Sequence, residues 1–98
     1  MPIKHSPKME PREPSEGDIE LLEELEEGDE VNFFEWAVEP LTVMGREEDE
    51  NVGECVRVEA EGGESFLYVV GGRIWHYVDE EEYEGDNNPF PVQNLCRV

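Results

Sequence analysis

Lysine is nearly absent from this chain. Of its 98 residues only Lys4 and Lys8 carry that side chain, and none follows Lys8. The other cations are five arginines, Arg12, Arg46, Arg57, Arg73 and Arg97, set against 27 Asp and Glu residues. Direct binding of nucleic acid depends on cationic groups displacing phosphate counterions, and is therefore not expected. Cysteine is scarce as well: Cys55 and Cys96 are too few for a disulfide scaffold. No apolar run approaches the roughly 20 residues of a membrane-spanning helix, and no secretory apolar stretch opens the chain. The expectation is a cytoplasmic protein with reduced thiols and no membrane association. Serine occurs only as Ser6, Ser15 and Ser65, outside any G-x-S-x-G context. The Gly-Gly pairs have no phosphate-binding loop around them, and no carboxylate pair stands in a recognisable acid–base arrangement. The chain is not expected to be an enzyme.

What is abundant is acid. The formal net charge is −20, and three readings fit it. The first is life in high salt: near 1 M the Debye length falls to about 3 Å, which screens self-repulsion. In its acidity and lack of lysine, the stretch after Lys8 resembles proteins of extremely halophilic archaea. The second is nucleic-acid mimicry, with carboxylates standing in for phosphates in an inhibitor of a DNA-binding protein. The third is a partly disordered acidic chain, against which the organised aromatic segments count.

Residues 1–17 hold four prolines and little apolar material, and read as a flexible arm ahead of a single domain, 18–98. SEGDIELLEELEEGDE predicts a helix over 18–27. Ser15 or Asp18 is its N-cap, acidic residues fill its first turn, and Ile19, Leu22 and Leu25 form an apolar stripe that Gly28 ends. So short a helix is marginal alone and must dock. From residue 29 the period becomes two. VNFFEWAVE reads as one strand, and Pro40 marks a bend or the start of the strand LTVMGRE. EEDEN reads as an acidic loop and GECVRVEA as a strand. Gly62-Gly63 and Gly71-Gly72 supply hairpin turns around SFLYVV and RIWHYV. A polar loop, DEEEYEGDNNPFP, leads to a closing strand, VQNLCRV. The fold class is mainly β: a small barrel or strongly bent antiparallel sheet of five or six strands over 29–98, with one short N-terminal helix.

The hairpin SFLYVV–RIWHYV lacks the clean alternation of a sheet wetted on one side. Phe66, Tyr68 and Val70 face one way, Leu67 and Val69 the other. Trp75 and Tyr77 oppose Ile74, His76 and Val78. Both faces of this ribbon must therefore be covered, one by the barrel interior. The other is covered by the helix packed outside the sheet or by a second chain, either a homodimer partner or another protein.

Two segments resemble a known architecture. EEGDEVNF, residues 26–33, is similar to the Gly-Asp turn and first long strand of SH3-like barrels. FPVQNLCRV, residues 90–98, is similar to their Pro-containing turn and short closing strand. The resemblance implies an SH3-like barrel over 26–98. The Ala-Leu-Tyr-Asp-Tyr-like run of signalling SH3 domains has no counterpart here, so the fold carries over and the binding of proline-rich peptides does not.

Candidate chemistry is sparse. Cys55, His76 and Cys96 are the soft-ligand set, and their spacing matches no zinc pattern. They read as unconnected thiols and a core or boundary histidine, so no cofactor is expected, and a small metal-binding protein stays an alternative. The clusters EEDE, 47–50, and DEEE, 79–82, lack the Asx spacing and glycine of an EF-hand loop and read as hydrated surface. The aromatic set Trp36, Tyr68, Trp75, Tyr77 and Phe90 either fills the core or forms an acid-rimmed apolar strip of the kind enriched at interfaces. On the second reading the protein is an interaction or adaptor module, its partner another protein or a second copy of itself.

Overall fold

The computed structural model describes residues 10–33, 36–50, 52–60, 63–78 and 89–98, with backbone alone for 36–39. In chain order the elements are α1 (Asp18–Glu24), β1 (Glu30–Phe33), β2 (Trp36–Asp49), β3 (Gly53–Ala60), β4 (Gly63–Val70), β5 (Arg73–Val78), β6 (Phe90–Pro91) and β7 (Cys96–Arg97). The strands make one antiparallel sheet, ordered β6-β5-β4-β3-β2-β1-β7 and curled into a half-barrel. The expected mainly β class with one short helix is what forms, with seven strands in place of five or six. β1 to β6 follow one another as a meander, and only β7 returns to lie beside β1.

Three local readings are corrected. VNFFEWAVE is two antiparallel strands, because Phe33 pairs with Trp36 across the β1–β2 ladder. Both of its alternation sets are apolar, so the pattern does not separate a continuing strand from one that folds back. Pro40 lies inside β2. Between the Val31–Leu41 and Phe33–Trp36 pairs, two steps along β1 match five along β2; a proline sits in such an irregularity without breaking a regular ladder. EEDEN is mostly strand, since β2 runs to Asp49, which pairs with Gly53. Outward-facing carboxylates do not stop a ladder whose backbone bonds are intact. The Gly71-Gly72 turn forms as read: φ is 62° and 75° at the two glycines, and Val70 pairs with Arg73, the geometry of a two-residue type I′ hairpin. Ala60 pairs with Gly63, which makes Gly63 the first residue of β4. Gly62 lies outside the described residues, as does the DEEE cluster.

α1 is shorter than 18–27. It ends at Glu24, with Leu25 already extended, and Gly28 (φ 96°) belongs to the turn that leads into β1. Its N-cap is Gly17, with no side-chain cap. The Asp18 carboxylate accepts the Ser15 backbone N–H at 2.8 Å, the returning half of a capping box. The Ser15 hydroxyl instead donates to the Asn94 side-chain carbonyl, and Arg73 reaches Glu13 at 3.4 Å. Residues 13 and 15, read as part of the arm, thus touch β5 and the β6–β7 connection.

No basic residue lies in the last turn of α1, and its terminal carbonyls are met from a distance. Arg46, on β2, donates to the carbonyls of Leu22 (2.8 Å), Leu25 (3.3 Å) and Glu23. Arg97, on β7, donates to that of Glu24 at 3.3 Å. These are the groups a helix leaves unsatisfied, at the end where its dipole favours a cation.

The sheet buries both faces. On the concave side Leu22 and Leu25 of α1 pack with Val31, Phe33, Leu41, Val43, Val56, Val58, Leu67 and Ile74, joined by Phe90, Val92 and Leu95. On the convex side Cys55, Phe66, Tyr68, Trp75 and Tyr77 form a second cluster with Val52, which folds over from the β2–β3 turn. The 66–78 ribbon is sandwiched as expected, but α1 covers the concave face and not the outer one. Arg46, in the row of Val56 and Leu67, projects from that same side and holds the helix there. The segment 89–98 ties the two sheet edges together. Its β6 pairs with β5, its β7 with β1, and Val92 N–H donates to Ile74 O at 2.9 Å. Both edge strands are only two residues long, which leaves little open edge for association.

Candidate functional site

The aromatic strip predicted as a docking surface does not stand at the surface. Tyr68, Trp75, Tyr77 and Phe90 are all buried. Tyr68, Trp75 and Tyr77 share the convex cluster, whereas Phe90 lies on the concave side against His76 and Phe33. The five residues therefore do not form one patch. The reason is geometric: Tyr68 and Trp75 are cross-strand neighbours, as are Phe66 and Tyr77, and rings so placed cover one another. Burial raises the Tyr68 phenol well above its usual range, with Tyr77 adding to the effect. Trp36 is placed on β2 opposite Phe33; its side chain lies outside the described residues.

Cys55, His76 and Cys96 are not brought together. Cys55 lies in the convex cluster on β3, and Cys96 is exposed on the far edge, on β7. The Cys55 thiol is pushed up to about 11 by burial first and then by the charges of Asp49, Glu47 and Glu54, so it is a weak nucleophile and a weak ligand. His76 is fully buried on the concave side. Its Nε2 lies 2.8 Å from the Ser65 hydroxyl, and its ring meets Phe90 and Phe33 edge-on at 4.8 and 5.3 Å. Burial lowers its pKa to about 3, which makes it a neutral core residue. Among the described residues no group of three His, Cys, Asp or Glu side chains is placed to hold a metal ion.

The concavity that does reach solvent is at the mouth of the half-barrel. The β3–β4 ladder ends at the pair Val56–Leu67. Beyond it, Glu54 and Cys55 face Tyr68 and Val69 across a groove of about 230 Å³, closed on one side by Leu22, Glu23 and Arg46. A second concavity lies past Val69, lined by Glu48, Asp49, Glu50, Gly53 and Glu54 together with Val52 and Val70. Val69 belongs to both and is 41% exposed. Glu48 and Glu54 are direct partners across the β2–β3 ladder, an unfavourable pairing of like charges.

The arginines are already engaged inside the protein. Arg46 and Arg97 hold α1. Arg57 lies among Glu64 (3.1 Å), Glu47 (3.5 Å) and Glu59 (3.8 Å). Arg73 pairs with Glu13, and Arg12 is engaged too. The sequence reading missed Val69 because parity assigns it, like Leu67, to the covered face. The one available signal was position: Val69 stands two residues before the Gly71-Gly72 turn, where a strand outruns its cover. Compared with protein-family models, curated proteins and solved structures, the chain matches none.

Proposed function

We propose that the protein is an interaction module of SH3-like architecture, adapted to high salt, that docks another protein at the groove around Val69. The exposure of Val69 in a concavity carries this reading. Among the described residues the large apolar side chains left exposed are Met44, Val69 and Val98, and of these it is Val69 that lines both concavities. An apolar contact of this kind keeps its strength in strong salt, where charge steering fades. The paired Glu48 and Glu54 support the salt-adapted part of the reading, since such a pair costs least where charge is screened.

Size-exclusion chromatography with light scattering across a salt series, then capture of partners from the native host, tests it. A partner retained in molar salt and lost with Val69→Glu is the expected result. A partner lost in salt but indifferent to Val69→Glu would instead favour the nucleic-acid mimic. Capture that neither salt nor the substitution alters overturns the groove as the docking surface.

A further inference from the structure

The rows of the sheet at the groove define what it can hold. Arg46, Val56, Leu67 and His76 lie in register across β2 to β5, and this row lies under the cover of α1. Two residues further out the same register brings Glu48 opposite Glu54, then Val69 opposite Ile74. That outer row lies beyond the helix. One half of it is acidic and the other apolar, and the ladder between the halves is open. Glu23 stands at the near wall and Asp49 and Glu50 at the far one. The cation at the site, Arg46, turns its guanidinium to the α1 carbonyls. An occupant therefore meets an apolar ridge with carboxylates on both sides, in a groove whose volume of about 230 Å³ holds only a few side chains.

Resting on the reading that the chain is a binding module, we infer that the groove takes an extended basic segment of another protein. One apolar side chain of the segment packs against Val69. Lysine or arginine side chains on either side of it meet Glu23, Glu50 and the opposed pair Glu48 and Glu54. A cation placed between those two carboxylates converts a repulsive cross-strand pair into two attractive contacts. The apolar contact survives salt, and the close carboxylates select the charge of the partner, adding to its approach rate only where salt is low.

The test uses the full chain and two synthetic probes, an end-blocked nine-residue peptide GSKSLSKSG, whose two lysines share a face with the central leucine when extended, and its counterpart with glutamine in place of lysine. Binding is read by fluorescence anisotropy at low and at molar salt. The lysine peptide is expected to bind at least about tenfold more tightly than the glutamine peptide at low salt, a gap of about 1.4 kcal/mol, and to keep residual affinity in molar salt. Glu50→Gln/Glu54→Gln should weaken it severalfold, while Glu27→Gln/Glu30→Gln, with the same charge change elsewhere, should not. Val69→Glu supplies a prediction of opposite sign to simple charge attraction: it should weaken binding although it adds a negative charge.

Equal effects of the two double variants, or tighter binding to Val69→Glu, overturn the inference in favour of diffuse attraction. Circular dichroism confirms that each variant is folded, and Glu54→Gln alone serves if a double variant is not. If Val69→Glu abolishes capture of a host partner while the lysine peptide fails to bind, the binding-module reading stands and the basic-segment inference falls.

Discussion

The concave and convex faces of the β3–β5 ribbon are both dry, but by different means. The concave face is aliphatic and is closed from outside the sheet, by α1 and by the segment 89–98. The convex face is largely aromatic, with rings on adjacent strands covering one another and Val52 folded over from a turn. A face built of Val, Leu and Ile needs a separate element to shield it. A face built of Phe, Tyr and Trp supplies much of its own shield, because each ring brings 150–250 Å² of surface (about) to lay on its neighbours. α1 is thus available for the concave side, where it also forms one wall of the groove.

The largest expected effects test whether the two faces are equally structural. Trp75→Ala should cost about 3–5 kcal/mol and Ile74→Ala about 2–5 kcal/mol, each a large part of a small domain's stability. Urea unfolding midpoints measure both. A loss under about 0.5 kcal/mol for Trp75→Ala, the range of ordinary surface changes, would remove the convex cluster from the core and end the comparison.

Next comes acid, which should act on the concave face through His76. Its pKa is about 3 in the folded chain against 6.5 as a free side chain. Between those values the unfolded state binds the proton and the folded state does not. This contribution to stability is present above pH 6.5 and is lost as the pH falls toward 3. The loss between pH 7 and 5 is about 2 kcal/mol, from 1.36 kcal/mol per unit. His76→Leu should remove that part of the pH dependence. The carboxylates titrate in both proteins, so the difference between the two pH profiles isolates His76; identical profiles would place the ring in water.

Smaller effects follow from the helix that closes the concave face. Arg46→Gln removes the guanidinium from three carbonyls of α1 and should cost about 1–2 kcal/mol, below the full value of charged hydrogen bonds because the site is partly wet. Hydrogen exchange should locate the loss in residues 18–25, with the convex cluster unchanged. The smallest effect concerns charge at the rim. Glu48→Gln should stabilise by a few tenths to about 1 kcal/mol at low salt by relieving Glu54, and the gain should vanish near 1 M salt. A gain that is independent of salt would show that charge is not its source.

The sequence revealed the sandwiching of residues 66–78 because each alternation set there is apolar in plain view. It also showed the Gly71-Gly72 turn, since few residue pairs suit two positive φ angles. The fold-back after Phe33 was hidden, because VNFFEWAVE has no glycine and its one asparagine, Asn32, precedes Phe33 inside β1. The end of α1 was misplaced for a different reason. Its carbonyls are held by Arg46, 21 to 24 positions later, and by Arg97, a dependence that no local window contains. The aromatic residues were legible as important, but sequence parity alone cannot distinguish rings that cover each other from rings offered to a partner. The groove was least legible of all, since it exists only where the β3–β4 ladder stops.

The employment of Arg46, Arg57, Arg73 and Arg97 in holding carbonyls or carboxylates has a consequence for how the chain meets enzymes and reagents that seek cations. Arg46, Arg57, Arg73 and Arg97 all lie in strands, so trypsin finds the peptide bonds beside them already held in a sheet and must wait for unfolding. Acylating or cross-linking agents that need a lysine amine find none between residues 10 and 98. With arginine in every cationic role from residue 10 onward, that stretch is chemically quiet toward amine-directed tagging, whether in a test tube or by a cell's own conjugating machinery.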